Sequence, residues 1–521
     1  MSIDRRTFLA GAAGMAAAGL LAGCSNSKEE TGATSEPTTR KPGSGGARRR
    51  PNILFIYADE HRADVLGAAG NQLVSTPNLD RLASEGLRCT QAWTESPICQ
   101  PARASLLSAA YPTKHGVLGN FSGEASPDWD TFPKALHKAG YATATIGKTH
   151  YSAWPVDSMG APGELDLSEG GPPTPEWTGR FGFDHVVEEF DKYVHIGPWQ
   201  TPYKQFLRDR DMLEPYQAGI AAHFRGTPQH WEGFTSPLPQ ELDLTSFLTA
   251  EADAWLGQQR ADTPWFLQLS FVQPHVPLSA DPTWAEHYAD VAIPRTAPAI
   301  PASTHPGWVK QLAALRRHSH SELLTDNFVL ASARQYYAMV SLIDQKVGEL
   351  LRGLDARGQL DNTLVIYASD HGEMLGDHGF MAKMNFYRSS VRVPLIVRPP
   401  GGTSPVVHDG PVQAFDIAAT MLDAAGTRLD NSPARSLLPV LRGAKSHRDS
   451  AVSMIRLIPS EPTWVGVTDG VWRATLDNDS GDLVELFDLE SDPDEATDLR
   501  ESGPKKIVDS LREHAERATR S

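Results

Sequence analysis

The sequence of 521 residues predicts an α/β fold: a large, mostly parallel sheet sandwiched by helices, then a small C-terminal antiparallel α+β subdomain. Three observations predict it. Ile53–Ala58, Tyr141–Ile146, Trp265–Val272 and Leu364–Ser369 are continuous apolar runs, which suit strands covered on both faces rather than one. Helical patterns separate these runs. Beyond about Asn431 the texture changes to short strands joined by turns.

Each element has a local reason. Thr76-Pro77 is an N-cap followed by proline at N1, and Leu79, Leu82, Ala83 and Leu87 supply the apolar face. Phe132–Lys138 closes at Gly140, a C′ glycine. Ala331–Leu354 carries Tyr336, Val340, Ile343, Val347 and Leu350 at helical spacing, and Asp416–Ala424 stops before Gly426. Residues 152–235, rich in Trp, His, Pro and Gly, read as an insertion over the sheet rim. Val465–Val467, Trp472–Leu476 and Val484–Leu489 are the C-terminal strands, closed by a helix over about Lys505–Arg517.

The domain organisation reads as leader 1–24, tether 25–50, catalytic body 51–430 and C-terminal subdomain 431–521. Arg5-Arg6 before a short apolar core, with Leu21-Ala22-Gly23-Cys24 at its end, has the form of a twin-arginine export signal with a lipobox. Cys24 is then an acylated N-terminus and a lipid anchor; the alternative is a cleaved signal with an incidental cysteine. Expected locations are the outer face of the cell membrane or the periplasm. Residues 25–50, nearly free of apolar side chains, form the tether.

The chain carries −16 at pH 7, which excludes nucleic acid as a partner because phosphate binding needs clustered Lys and Arg. Residues 1–24 contribute +1 and 25–50 contribute +3, so the body carries −20. An anion pocket in such a body must gather its cations locally. Three cysteines make no disulfide framework.

The apolar runs end in reactive groups: Asp59-Glu60, Gly147-Lys148-Thr149-His150, Gln273-Pro274-His275 and Asp370-His371. Open α/β sheets bind ligands beyond the carboxyl ends of their strands, so these groups share one rim. Cys99-Gln100-Pro101-Ala102-Arg103 opens a helix with Pro101 at N1. Unpaired N–H groups there favour anions and lower a thiol's pKa. Cys99 is therefore either a nucleophile in an anion pocket or a small buried thiol.

Cys99-x-Pro101-x-Arg103 resembles the signature of the type I sulfatases of the alkaline phosphatase superfamily, whose cysteine is oxidised to formylglycine. Pro51–Ile56, Thr76–Ala83, Gly147–His150, Pro274–Pro277, Ser369–Glu373, Gly376–Gly379, Arg392–Leu395 and Glu485–Leu489 resemble further family blocks in family order, over about residues 51–500.

The resemblance implies hydrolysis of a sulfate ester and modification by a formylglycine-generating enzyme. It implies Ca²⁺ or another hard divalent ion on Asp59, Glu60, Cys99, Asp370 and His371, with Glu60 the weakest assignment because the family has Asp or Gln there. Arg103, Lys148 and Lys383 would bind sulfate oxygens. His275 would protonate the leaving oxygen, and His150 would take a proton from the formylglycine hydrate. The acidic residues expected after Tyr387 are replaced by Arg388-Ser389-Ser390, either a substrate contact or a structural change. His115 and His378 are weaker pocket candidates, and Cys89 reads as a core thiol.

The expected partner is a sulfated small molecule or glycan. Trp154, Trp177, Trp199 and Trp231 suit either stacking on a sugar or core packing. The competing functions are phosphonate monoester or phosphodiester hydrolysis, and binding of sulfated glycans without turnover.

Overall fold

The structure is a computed structural model that describes residues 50–120, 123–152, 174–223, 229–295, 297, 305–457 and 461–520. The leader, Cys24, the tether before Arg50, and Trp154 lie outside the described residues. Arg50–Ser521 forms one unit.

In chain order the strands begin with β1 (Asn52–Ala58), β2 (Leu87–Trp93), β3 (Ala142–Lys148) and β4 (His185–Glu189). The two-residue β5 (Phe234–Thr235) follows, then β6 (Trp265–Ser270) and β7 (Ser279–Ala280). Next come β8 (Thr363–Ser369), β9 (Leu395–Arg398) and β10 (Val406–Gln413). Eight of these make one sheet in the order β10-β2-β9-β8-β1-β6-β3-β4, and β5 pairs only with β7. Among the described residues only β9 runs antiparallel to its neighbours in that sheet.

β1 and β8 are buried along their whole length, as continuous apolar runs require. Alternate residues face opposite layers. Leu54, Ile56, Val365 and Tyr367 pack under the Leu244–Gly257 and Asp326–Ala356 helices. Ile53, Phe55, Leu364 and Ile366 pack under Phe132–Lys138 and Asp416–Ala425. The long helix begins five residues earlier than its apolar periodicity suggests, because Thr325 caps it by accepting the Phe328 N–H.

Part of the expected insertion is sheet. β4, with sequence His-Val-Val-Glu-Glu, forms the edge beside β3, and its short, charged run hides it from an apolar count. The C-terminal sheet runs β11 (Ala451–Ile455), β12 (Trp464–Thr468), β13 (Trp472–Asp477) and β14 (Leu483–Asp488), all antiparallel. Its first strand has no counterpart in the sequence reading. Leu511, Ala515 and Ala518 of the Lys505–Arg520 helix cover one face.

Candidate active site

β1, β3, β6 and β8 lie side by side, so Asp59, Lys148, His275 and Asp370 emerge at neighbouring positions on one rim. β2 leads into the Cys99–Ser108 helix, whose first residue joins them. At Gly147 the strands approach so closely that an added Cβ would lie 1.8 Å from the Ser270 carbonyl oxygen, and its φ of +104° favours glycine. This approach sets where Lys148 leaves the sheet.

Asp59, Cys99, Asp370 and His371 each present one donor atom, all within 4.8 Å of one another and all buried. Cys99 Sγ lies 3.1 Å from His371 Nε2 and 3.8 Å from Asp59 Oδ1. His371 Nδ1 lies 2.9 Å from the Gly372 carbonyl, to which it donates, so Nε2 turns its lone pair into the group. Two carboxylates and a neutral imidazole fit a divalent cation.

Glu60 lies outside that quartet. Its backbone φ is +73°, its Oε1 accepts from Lys383 Nζ at 2.8 Å, and its Oε2 lies 3.6 Å from His275 Nε2. Burial, resisted by Lys383, lifts its carboxyl to about 8. It forms a second group with Asp59 and His275.

Arg103 turns away from the role expected of it. Its Nε donates to Asp370 Oδ2 at 2.8 Å, and Nη2 donates to Asp59 Oδ2 at 3.3 Å. Nη1 donates to the Lys148 carbonyl at 2.7 Å and to Ser270 Oγ at 3.0 Å. Four of the guanidinium's five N–H groups are thus held by the protein. The spacing to Cys99 places Arg103 at the site but cannot say which anion it faces.

The expectation of an acidic thiol is also reversed. Burial, reinforced by Asp59, pushes the Cys99 thiol well above its ordinary range despite Lys148 and Lys383. Desolvation of a thiolate in a closed pocket outweighs the partial charge of a helix end. Asp59 shows the opposite balance. Burial would raise its carboxyl, but Lys148, His275, Arg103 and His371 together hold it well below the ordinary carboxylate range.

Lys148 Nζ lies 2.5 Å from Asp59 Oδ2 and 2.6 Å from Asp191 Oδ1, leaving one of its three N–H groups for a ligand. Burial would lower its pKa, but Asp191 and Asp59 hold it above the ordinary value. Glu60 does the same for Lys383 against burial. Ala382 and Met384, flanking Lys383, both have positive φ, as do Glu60 and His150. Such non-glycine residues collect where a site over-determines the backbone.

His150 packs edge-on against Phe190 with ring centroids 4.7 Å apart, and its buried Nδ1 has no hydrogen-bond partner among the described residues. Burial, then Lys148, drives its pKa far down, so the ring is neutral. His275 Nδ1 donates to the Val276 carbonyl at 2.8 Å, leaving Nε2 toward the pocket. Its pKa is lowered by burial and Lys383 and pushed back up by Asp191, Glu60 and Asp59.

Other candidates belong elsewhere. The Arg388 N–H donates to Glu495, and its guanidinium holds the Pro493 carbonyl, so it ties the C-terminal segment down. His115 bonds Ser105 Oγ and the Val117 N–H, while His378 packs on Tyr387. Cys89 is a buried thiol of β2. Trp231 is buried in the core, and the half-buried Trp177 packs edge-on against Phe181. Asp191 escaped the sequence reading because β4, which delivers it, did.

A buried cysteine beside residues that could hold a divalent ion, with two lysines, fits a hydrolase of anionic esters. The sulfatase family model matches residues 51–427, and the model for the N-sulphoglucosamine sulphohydrolase C-terminal region matches 376–521. The chain belongs to the sulfatase family and is a sulfuric ester hydrolase.

It is 29% identical over 472 residues to a choline-sulfatase of Rhizobium meliloti, covering 88% of this chain and 84% of that one. It is 26% identical over 505 residues to an N-acetylglucosamine-6-O-sulfatase of Bacteroides thetaiotaomicron, covering 87% and 83%. A solved phosphonate monoester hydrolase of Agrobacterium radiobacter superposes with a TM-score of 0.71 at 26% identity, covering 90% and 95%.

Proposed function

We propose that this protein hydrolyses a sulfate monoester on a sugar or small alcohol, using formylglycine made from Cys99 and a divalent cation, Ca²⁺ being the first choice. The observation that carries this reading is the Cys99 thiol 3.1 Å from His371 Nε2, inside a carboxylate pocket fit for a metal.

A divalent cation on Asp59, Asp370 and His371 would supply Lewis-acid stabilisation of the ester oxygens and would acidify a neighbouring hydroxyl. The aldehyde hydrate at position 99 would offer one oxygen for attack on sulfur and keep a second through which the carbonyl is restored. The remaining N–H groups of Lys148 and Lys383 bind the substrate oxygens. His275, when both ring nitrogens carry protons, gives the one on Nε2 to the leaving oxygen. His150, neutral and with Nδ1 unpartnered, accepts a proton from the hydrate. Arg103 fixes Asp59 and Asp370 rather than touching substrate.

The N-acetylglucosamine-6-O-sulfatase relative and the C-terminal match support a sulfated sugar as substrate. The leader supports export and lipid anchoring through Cys24. Phosphonate monoester hydrolysis is the second reading, favoured by the superposition on an enzyme of that activity.

The test is mass spectrometry of the tryptic peptide Cys89–Arg103 from protein made in its native host, with rates on aryl sulfate and phenyl phosphonate esters. An aldehyde at 99 and faster sulfate hydrolysis are expected. An unmodified thiol in active protein overturns the formylglycine reading, and faster phosphonate hydrolysis establishes the second one.

A further inference from the structure

Residues 190–192 follow edge strand β4 and touch three separate parts of the site. Phe190 packs on His150. Asp191 Oδ1 lies 2.6 Å from Lys148 Nζ and 3.6 Å from His275 Nδ1, the nitrogen facing away from the reacting side of the ring. Lys192 Nζ donates to the Pro277 carbonyl at 2.7 Å and lies 3.3 Å from Ser279 Oγ, fastening the segment to the loop that carries His275. The Val194 N–H closes a turn on the Asp191 carbonyl at 2.9 Å, which fixes the carboxylate's origin.

A carboxylate between a ligand-binding ammonium and the rear nitrogen of a histidine has a specific consequence. It holds the lysine against rotation, and it stabilises the ring while both nitrogens carry protons. We propose that Asp191 is a positioning residue for the sulfate ester reaction, holding Lys148 on the substrate oxygens and His275 as the general acid. This rests on the sulfatase reading given above.

In the step concerned, a deprotonated oxygen of the hydrate at position 99 bonds to sulfur as the bond from sulfur to the leaving oxygen breaks, and that bond's electron pair stays on the leaving oxygen. The Nε2 proton of His275 forms the new O–H bond, and the ring becomes neutral until water reprotonates it. Asp191 neither gains nor loses a proton. The groups facing His275 include Lys383, Asp191, Glu60, Asp59 and the Tyr193 ring; Nδ1 donates to the Val276 carbonyl at 2.8 Å, and Asp191 is the carboxylate on that side, at 3.6 Å.

The distinguishing readout is leaving-group dependence. 4-Nitrophenyl sulfate departs without much proton assistance, whereas hexyl sulfate requires it. In full-length protein carrying formylglycine, Asp191→Asn is expected to lower kcat/KM on both esters through Lys148. The loss on hexyl sulfate should be larger by roughly tenfold or more, because general acid catalysis contributes on the order of 10²–10⁴.

In a His275→Ala background the same substitution should leave the alkyl-to-aryl ratio where His275→Ala put it. Asp191→Glu, which keeps the charge, should restore part of the alkyl rate and serves as the comparison if the Asn variant does not fold. Equal losses on the two esters, or none, overturn the assignment. Wild-type protein inactive on both esters overturns the sulfatase reading instead.

Discussion

Replacing Arg103 by lysine separates two accounts of the signature arginine. If the guanidinium met the substrate, lysine would keep a cation in the pocket, raise KM and leave the unliganded protein as stable as before. The structure instead gives Arg103 contacts of 2.8 Å to Asp370, 3.3 Å to Asp59, 2.7 Å to the Lys148 carbonyl and 3.0 Å to Ser270. A shorter side chain ending in one ammonium cannot span both carboxylates. Asp59 keeps Lys148, but the buried Lys148 carbonyl and Ser270 Oγ lose their donor, which costs about 1–3 kcal/mol.

The assay is urea unfolding of chelator-treated protein without substrate. A marked fall in midpoint is expected for Arg103→Lys. An unchanged midpoint together with a raised KM would refute the reasoning and return Arg103 to the substrate.

Lys192 is wholly buried without a carboxylate bonded to it, and burial lowers its pKa to about 8 despite the attraction of Asp243, Asp191, Glu60 and Asp59. Between that value and the ordinary one of about 10.4, the unfolded chain binds more protons than the folded one, so stability rises with pH by about 3 kcal/mol. Lys192→Met should abolish that rise, and matching slopes for variant and wild type between pH 7.5 and 10.5 would count against it. Added Ca²⁺ should raise the unfolding midpoint of the wild type but not of a His371→Ala variant; equal shifts would place the ion elsewhere. Gly147→Ala forces a Cβ onto the Ser270 carbonyl at φ +104°, with strain alone costing roughly 1–3 kcal/mol, and should lower both stability and kcat. Unaltered kcat would mean that Lys148 does not depend on that close approach.

Much of the site was legible because its chemistry follows strand ends. An apolar run followed by Asp59, by Lys148 or by Asp370-His371 announces both a buried strand and the side chain beyond its carboxyl end. Cys99 was legible from its helix start, although the helix begins at Cys99 itself and Pro101 stands third in it rather than at N1. β2 and β4 were not, since Leu87–Trp93 is neither a continuous apolar run nor a clean alternation, its Leu87 reading as part of the preceding helix face, and β4 ends in two glutamates. Asp191 was hidden with β4, and the adjacency that placed Glu60 beside Asp59 did not reveal the left-handed backbone that carries its Oε1 to Lys383.

The sequence by itself determined the central strands of the large sheet, most of its helices, the residues at those strands' ends, and the family of the enzyme. Those depend on local patterning and on motifs whose order survives without coordinates. Only the tertiary structure decided the partners: Arg103 on Asp59 and Asp370, Glu60 on Lys383, and Asp191 between Lys148 and His275. It also reversed the Cys99 expectation, since a thiol's pKa follows the burial and charges that folding brings around it more than the helix end it occupies. Strand order, which sequence spacing does not encode, sets side by side groups that lie over 300 residues apart in the chain.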